Sequence, residues 1–375
     1  MLKGIHLTLM IGPAVPVPVP RAVLDALTAA EVTTSTDGPS GFQLTFTLSN
    51  RSPLQTMFLL TGGAMPPIVR VVLVATVNGT PEVLIDGVMT NHQVNPGSQG
   101  YSTLTVTGED LTRVMDMQEL SGLPFPGMPT YARVNVILLK YAVLGVIPLV
   151  VPPFLNDVES PVDYTPLQQG TDLCYLRNMA KVVGHVFYIE PGPAPGNSKA
   201  YWGPEIKIGV PQPALNINMD AHTNVESLDF QFDNTRRVQP YVTIQEPISK
   251  LSIPIPIPDN VSVLNPPLGL IPPLPSEFQN VDDTAKLSPT KALLRGFAVA
   301  ARSNDAVTVK GTIDVARYGR LLKARRLVGV RGAGAAFDGL YYVRKVTHQI
   351  GRGTYKQSFE LSRNGLLSTV PRVPA

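Results

Sequence analysis

The sequence predicts a mainly β protein with an α+β insert, in which two β-barrel domains flank a small α+β middle domain. Apolar and polar residues alternate in several segments near both ends of the chain, a pattern typical of half-buried strands. The middle of the chain instead contains two segments with helical periodicity. The chain has 375 residues, enough for two to three domains, and its 37 prolines are about twice the usual share, which favours strands joined by long connections.

The C-terminal stretch shows the clearest strand pattern. Glycine-containing turns separate four apolar or alternating segments, at 306–315, 327–330, 341–350 and 354–363. Strands joined by so few residues must be antiparallel neighbours. The turn at Gly339 is predicted to need a positive φ, which glycine adopts readily. We therefore predict a β-meander that forms one wall of a barrel in a domain of residues 223–375, which also contains a proline-rich connection at 247–287.

A second barrel is predicted at the N-terminus, over residues 1–118. Five segments read as strands, and the two at 68–77 and 82–94 form a hairpin around Asn78-Gly79, a strong hairpin signal. The others lie at 2–10, 41–48 and 101–107. Short helices are expected at 21–30 and 111–117.

The middle domain, residues 119–222, is expected to contain helices at 130–144 and 171–183 and strands at 186–190 and 206–209. Cys174 is the single cysteine, so no disulfide can form within the chain, and we interpret it as a packed thiol on the second helix. The apolar run 136–151 is shorter than a membrane span needs and contains Lys140 and Pro148. The sequence thus predicts no membrane span, and the alternating N-terminus predicts no signal peptide.

Two segments resemble the phage late control protein D family, the central hub proteins of contractile tails and of related injection systems. They are TPLQQGTDLCYLRNMAKVVGHVFYIEPG, at 165–192, and FDGLYYVRKVTHQIGRGTYKQSFELSRNG, at 337–365. Together they cover 57 of the 375 residues. The matching positions, to which the resemblance gives a structural role, are Asp172, Leu176, Gly184, Gly339, Tyr342, Val343, Val346, His348, Tyr355, Phe359 and Arg363.

The resemblance implies that the barrels are tube-like and that a homotrimer presents six of them in a ring. Such a ring would join a sixfold tail tube to a threefold spike and leave a channel. The implied partners are further copies of the chain, the tail-tube protein, the spike protein, other baseplate proteins, and tape-measure protein or DNA in the channel. The implied location is the baseplate of a virion tail, assembled in the host cytoplasm.

Charge is unevenly distributed along the chain. Residues 288–375 contain 16 Lys/Arg and 4 Asp/Glu, a net charge of +12, whereas residues 1–287 carry a net charge of −9. Six cations are predicted to contact an acidic neighbour during assembly, although a solvated loop is the simpler alternative. They are Arg317, Arg320, Lys323, Arg325, Arg326 and Arg331. Changing Arg325 and Arg326 to Glu is expected to block assembly while the chain stays folded.

The sequence predicts no catalytic, cofactor or metal site. The five histidines never pair at metal-ligand spacing, and no glycine-rich phosphate loop is present. His348 alternates with Val346 and Ile350, so we interpret it as a strand residue and not as a base. Three alternatives to a phage-tail hub remain: the hub of a headless injection system, a tail-associated cell-wall hydrolase, and a nucleic-acid-binding protein that uses its basic C-terminal region.

Overall fold

The computed structural model describes residues 4–13, 15–48, 68–97, 102–154, 165–245, 252–257, 263–281, 289–303 and 305–370. One large sheet of 13 strands organises these residues, and three small sheets flank it. The predicted mainly β fold class is confirmed.

The N-terminal part contributes seven strands and two short helices. The hairpin around Asn78-Gly79 is confirmed, and both turn residues have positive φ, 49° and 81°. The predicted helix 21–30 is wrong after Ala26, because the following residues form a strand that pairs with strands on both sides and includes the β-branched residues Val32, Thr33 and Thr34. The elements are β1 (Ile5–Gly12), β2 (Val17–Pro18), α1 (Arg21–Ala26), β3 (Leu27–Ser35), β4 (Gly41–Leu48), β5 (Arg70–Val77), β6 (Thr80–Pro96), β7 (Ser102–Asp110) and α2 (Thr112–Met115).

The middle part packs two helices on one face of a three-stranded sheet. Its elements are α3 (Thr130–Leu139), a 3₁₀ turn (Ala142–Leu144), β8 (Val146–Val150), α4 (Asp172–Val183), β9 (Val186–Pro191) and β10 (Ser198–Gly203), with the strand order β8-β10-β9. The predicted strand 206–209 is wrong, since the third strand is β10, whose Trp202 is fully buried. Cys174 is exposed, because it lies on α4 outside the buried stripe that contains Leu173 and Leu176.

In the C-terminal part, β18 (Leu327–Arg331), β19 (Gly339–Gly351) and β20 (Thr354–Arg363) form a meander of antiparallel neighbours. The predicted four-strand meander is wrong at its first strand, because β17 (Val307–Asp314) pairs with β20 and not with β18. Ser288, expected to cap α5, lies outside the described residues. The elements are β11 (Gln212–Asn216), β12 (Ser227–Phe232), β13 (Val238–Gln245), β14 (Ser252–Pro256), β15 (Gly269–Ile271), β16 (Glu277–Asn280), α5 (Pro289–Ser303), β17 (Val307–Asp314), α6 (Val315–Tyr318), β18 (Leu327–Arg331), β19 (Gly339–Gly351), β20 (Thr354–Arg363) and β21 (Leu366–Ser368).

The two predicted barrel segments share one sheet, because β19 pairs with β3 over seven residues of register. The strand order is β12-β17-β20-β19-β3-β4-β7-β6-β5-β1-β2, and β18 pairs with β19 and β11 beside this path. One apolar cluster covers the N-terminal strands and another the C-terminal strands. The central pairing therefore makes the two ends of the chain a single structural unit.

The described parts of the proline-rich connection lie against the rest of the chain. Strand β14 pairs with β13, and β15 pairs with β21. Ile257 and Leu268 are buried, and the Asn364 Oδ1 atom accepts hydrogen bonds from the backbone of Leu268 and Gly269, both at 2.8 Å. Pro254 lies on the edge strand β14, where the missing N–H of proline is tolerated.

Candidate functional site

One face of the large sheet is polar across both halves of the molecule, and we call it the polar face. Adjacent side chains in the pairing register share a face. Ala30, Leu44 and Val106 form a row on the other face and are buried. On the polar face, one row crosses seven strands from β17 to β6: Asp314, Lys356, Gln349, Glu31, Gln43, Thr107 and Asn91.

A second row of the polar face, four residues further along the strands, crosses five strands from β12 to β3: Asp229, Lys310, Glu360, Lys345 and Ser35. All twelve residues of the two rows are exposed or half-buried. They comprise four carboxylates, three amines and five neutral side chains, so opposite charges largely balance. Tight binding to DNA requires many cations that neutralise phosphates, which this surface does not provide. The polar face is thus hydrated and nearly neutral.

The two halves of the sheet carry a matching feature at equivalent positions. Counted outward from the β19–β3 pair, β17 and β7 are each the third strand. Each ends in an aspartate, Asp314 or Asp110, whose Oδ1 atom accepts a hydrogen bond from the backbone N–H two residues later, at 2.8 and 3.0 Å. A four-residue helix follows in both cases. This similarity supports two related units in one chain, although their strands occur in a different chain order.

A group of buried charged residues, which we call the buried junction, links the three parts of the chain. The Asp305 carboxylate accepts hydrogen bonds from Lys207 Nζ at 3.0 Å, from Ser362 Oγ at 2.6 Å and from the Arg344 guanidinium. Arg344 also pairs with Asp37 at 2.9 Å. Burial alone would raise the pKa of Asp305, but Lys207 and Arg344 hold that pKa well below its usual value.

No pattern in the sequence indicates the buried junction. Lys207 and Asp305 are 98 residues apart, and Arg344 is a further 39 residues along the chain. Each has the side chain of an ordinary surface residue, and no spacing pattern connects them. The sequence gives no indication of the pairing of Arg70 with Asp86 either. Two hydrogen bonds of 2.7 Å join these buried side chains on adjacent strands.

Arg325 is the exception among the six predicted contact residues. Only 2% of it is exposed, its guanidinium lies 3.9 Å from the centre of the Tyr188 ring, and its Nη2 atom donates to the Ser35 carbonyl at 2.6 Å. It therefore joins all three parts of the chain and cannot act as an exposed contact in this fold. This burial argues against the expectation that its reversal leaves the chain folded, because a carboxylate at this position would be buried without these partners.

The other five cations remain at or near the surface. Arg317, on α6, and Arg320 are exposed, and Arg331 ends β18 half-buried. Lys323 Nζ pairs with Glu82 Oε1 at 2.7 Å, and Arg326 Nη2 pairs with Glu190 Oε1 at 3.5 Å. Three of the five, Arg320, Lys323 and Arg326, line two adjoining cavities of about 700 and 270 Å³, which together we call the cleft.

The upstream segment of the resemblance supports the middle part from within. The buried Asp172 carboxylate, at the start of α4, accepts hydrogen bonds from Gln168 at 2.6 Å, Tyr141 at 2.7 Å and Lys140 at 3.1 Å. Leu176 is fully buried. Gly184 ends α4 with φ +71°, and a Cβ there would lie 3.0 Å from the Cα atom of Ala298 on α5.

The downstream segment is buried in a similar way. Arg363 is fully buried and donates to three backbone carbonyls at 2.7 to 2.9 Å, with its guanidinium 4.5 Å from the Tyr341 ring centre. His348 Nδ1 lies 2.8 Å from Tyr355 Oη, and burial lowers the pKa of His348 to about 4. The remaining positions, Tyr342, Val343, Val346 and Phe359, lie in apolar clusters, and Gly339 has φ +135°.

Within the described ranges, no group of three or more His, Cys, Asp or Glu side chains is arranged to hold a metal ion. Among the helices of the same ranges, none combines the length and the apolar character needed to cross a membrane.

The fold is that of phage tail proteins. No protein-family model matches the chain, and no curated protein matches its sequence. Solved structures with similar folds are nonetheless found over nearly its whole length, and they are tail proteins and a type VI secretion component. The resemblance noted in the sequence is thus confirmed at the level of the fold.

Two of these similar structures are the tail protein from Neisseria meningitidis MC58, with a TM-score of 0.64, and the 43 kDa tail protein of prophage MuSo2 from Shewanella oneidensis, with a TM-score of 0.60. Each is 15% identical, and the alignments cover 97% and 96% of this chain and 98% of either neighbour. The c3393 protein of E. coli, a component of the type VI secretion system, has a TM-score of 0.51 at 12% identity, over 93% of this chain and 76% of that one.

Proposed function

We propose that the protein is the structural hub of the baseplate of a contractile phage tail and is not an enzyme. The near-complete overlap with tail proteins carries this proposal. Three copies would form a ring of six tube-like units, built from residues 1–118 and 223–375, with residues 119–222 as a middle domain whose three-stranded sheet, β8-β10-β9, is separate from the shared sheet. The ring would join the sixfold tail tube to the threefold spike at the virion baseplate. Other baseplate proteins would surround it.

The polar face would line the channel of this ring. DNA or tape-measure protein must pass through without binding to the channel wall, and a hydrated surface with balanced charge suits that requirement. The matching hydrogen bonds from a backbone N–H to the aspartate at the ends of β7 and β17 support the idea that one chain supplies two similar units.

The oligomeric state tests the proposal directly. Light scattering coupled to size exclusion should give about three chains per particle, for the chain alone or with its spike partner. A monomer that persists in the presence of the tube and spike proteins would contradict the ring.

The lining role has its own test. Changing Gln43 and Thr107 to Lys would place cations in the centre of the polar face, and we expect particles that assemble but eject DNA slowly. Asn178→Lys, on the exposed surface of α4, is the matched control. If particles with the double variant ejected DNA at the normal rate, the polar face would not line the channel.

A headless injection system is the second candidate, favoured by the likeness to the c3393 protein. The same hub would then transmit a cargo protein. Purified particles that contain this chain would distinguish the two, since phage particles carry DNA. Cleavage of peptidoglycan by the purified chain would contradict both and favour the hydrolase.

A further inference from the structure

The cleft is built around a loop, residues 319–326, that three side-chain amides fix in place. Asn78 Nδ2 donates to the Gly319 carbonyl at 2.9 Å. Gln212 exchanges two hydrogen bonds with the backbone of Lys323, at 2.8 and 2.9 Å, and Gln357 does the same with Leu322. The amides come from different parts of the chain, so the loop is held before any ligand arrives. Such preorganisation reduces the ordering cost of binding.

The cations of this loop are available to a ligand. Arg320 is exposed, and within the described residues no carboxylate lies at ion-pair distance from it. The side chains of Lys323 and Arg326 are each 47% exposed. Exposed ion pairs of this kind are weak, so a carboxylate of a ligand can replace Glu82 and Glu190 as the partner of these cations.

The walls of the cleft outside the loop are partly apolar, and polar side chains such as Asn78, Thr80 and Glu190 also line them. Five prolines contribute to its walls, and Val210, at one side, is 92% exposed. The prolines, which have no N–H to donate, are Pro81, Pro191, Pro193, Pro211 and Pro213. A ligand would therefore gain apolar contacts along the walls and charged contacts at the loop.

We propose that the cleft binds an extended peptide segment of another protein, with carboxylate side chains between apolar ones. Arg320 would pair with one carboxylate, and Lys323 and Arg326 with others as they exchange partners. The larger cavity, about 700 Å³, has the size of a typical ligand site, roughly 300–1,000 Å³, and the adjoining cavity of about 270 Å³ extends it. A DNA duplex fits less well, because Glu82 and Glu190 interrupt the cations, whereas duplex binding requires a continuous basic surface.

The inference rests on the proposed function only for the identity of the peptide, which would belong to another tail component. Peptide binding is measured on the isolated chain, whereas the ring is judged by particle mass. One can therefore fail while the other holds.

The test uses a fluorescein-labelled octapeptide, Pro-Glu-Val-Glu-Pro-Glu-Val-Glu, and fluorescence anisotropy at low salt. We expect saturable binding that is weakened far more than tenfold when every Glu of the peptide is replaced by Gln, since three charged contacts are then lost and each is worth on the order of a factor of ten. Arg320→Ala removes one of these contacts and should weaken binding about tenfold. Glu82→Gln should strengthen it, because it frees Lys323.

Arg21→Ala is the matched control, since the side chain of Arg21 is 92% exposed and lies outside the cleft. Its affinity for the peptide should equal that of the unchanged chain, and melting curves would show that all variants are folded. Equal binding of the Glu and Gln peptides, or equal affinity of Arg320→Ala and Arg21→Ala, would overturn the proposal. The proposal would also be overturned if a DNA duplex of about 20 base pairs bound more tightly than the peptide and Arg320→Ala abolished that DNA binding.

Discussion

The buried junction and the cleft use the same kinds of charged side chain for different purposes. In the buried junction, Asp305 is almost inaccessible and is surrounded by Lys207, Arg344 and Ser362. In the cleft, Lys323 and Arg326 have single, half-exposed partners. Buried charges are costly unless they are fully paired, whereas exposed pairs contribute little. The first group is therefore expected to stabilise the fold, and the second remains free to bind.

The largest predicted effect comes from the buried junction. Asp305→Ala leaves the charges of Lys207 and Arg344 buried with only Glu205 and Asp37 nearby. We expect the free energy of unfolding to fall by about 3–5 kcal/mol, measured by urea denaturation. Asp229→Ala, on the exposed polar face, should change it by less than about 0.5 kcal/mol. Similar small losses for both would show that the junction is not a stabilising network.

Adjacent residues allow a closer comparison. Arg325→Glu buries a carboxylate and removes the contact with Tyr188, so we expect a loss of about 3 kcal/mol or more. Arg326→Glu acts on a half-exposed side chain and should cost about 1 kcal/mol or less. Thermal melting of the two variants measures the difference. Equal melting temperatures would contradict the assignment of the two arginines to different environments.

This pair also shows the limit of what the sequence predicts. Alternation and glycine turns predicted β4, β20 and the Asn78-Gly79 hairpin, because short-range pattern determines them. Burial of Arg325 depends on Tyr188 and Ser35, which are distant in sequence, and no local pattern indicates it. The β19–β3 pairing was missed for the same reason, since Thr33 and Thr347 are 314 residues apart. The predicted domain boundaries and contact residues remain predictions.

The pH dependence of stability tests His348, a residue of β19. It lines the cleft yet is buried, and burial lowers its pKa from 6.5 to about 4. Between these two pKa values, His348 is protonated in the unfolded chain but neutral in the folded chain. Stability should therefore fall as the pH drops from about 6.5 to about 4, by up to about 3 kcal/mol, and show no further loss from this group below that range.

His348→Gln should remove this part of the pH dependence, as seen in denaturation curves at several pH values. His185 has a pKa lowered to about 4 by burial and would retain its own contribution. A variant with the original pH profile would exclude His348 as a source of acid sensitivity.

Gly339→Val tests the turn that supports Arg363. Gly339 has φ +135°, and a Cβ there would lie 2.6 Å from Ser368 Oγ and 2.8 Å from Arg363 Nη1. We expect a loss of about 1–3 kcal/mol from backbone strain, with the melting temperature reduced accordingly. Gly353→Val is the control for strain alone, since Gly353 has a positive φ but no atom within 4 Å of its Cβ position. A Gly339 variant as stable as the unchanged chain would contradict this turn geometry.

The smallest predicted effect concerns the ion pair between Lys323 and Glu82. A double-mutant cycle with Lys323→Ala and Glu82→Ala should give a coupling energy of about 0.2–1 kcal/mol, because both side chains are partly hydrated. The coupling should shrink further in high salt, since screening acts on accessible charges. A coupling energy of several kcal/mol would show that this ion pair is as strong as those of the buried junction. The loop would then be held by charge as well as by its amide contacts, and Lys323 would be too tightly paired to exchange its partner for a carboxylate of a ligand.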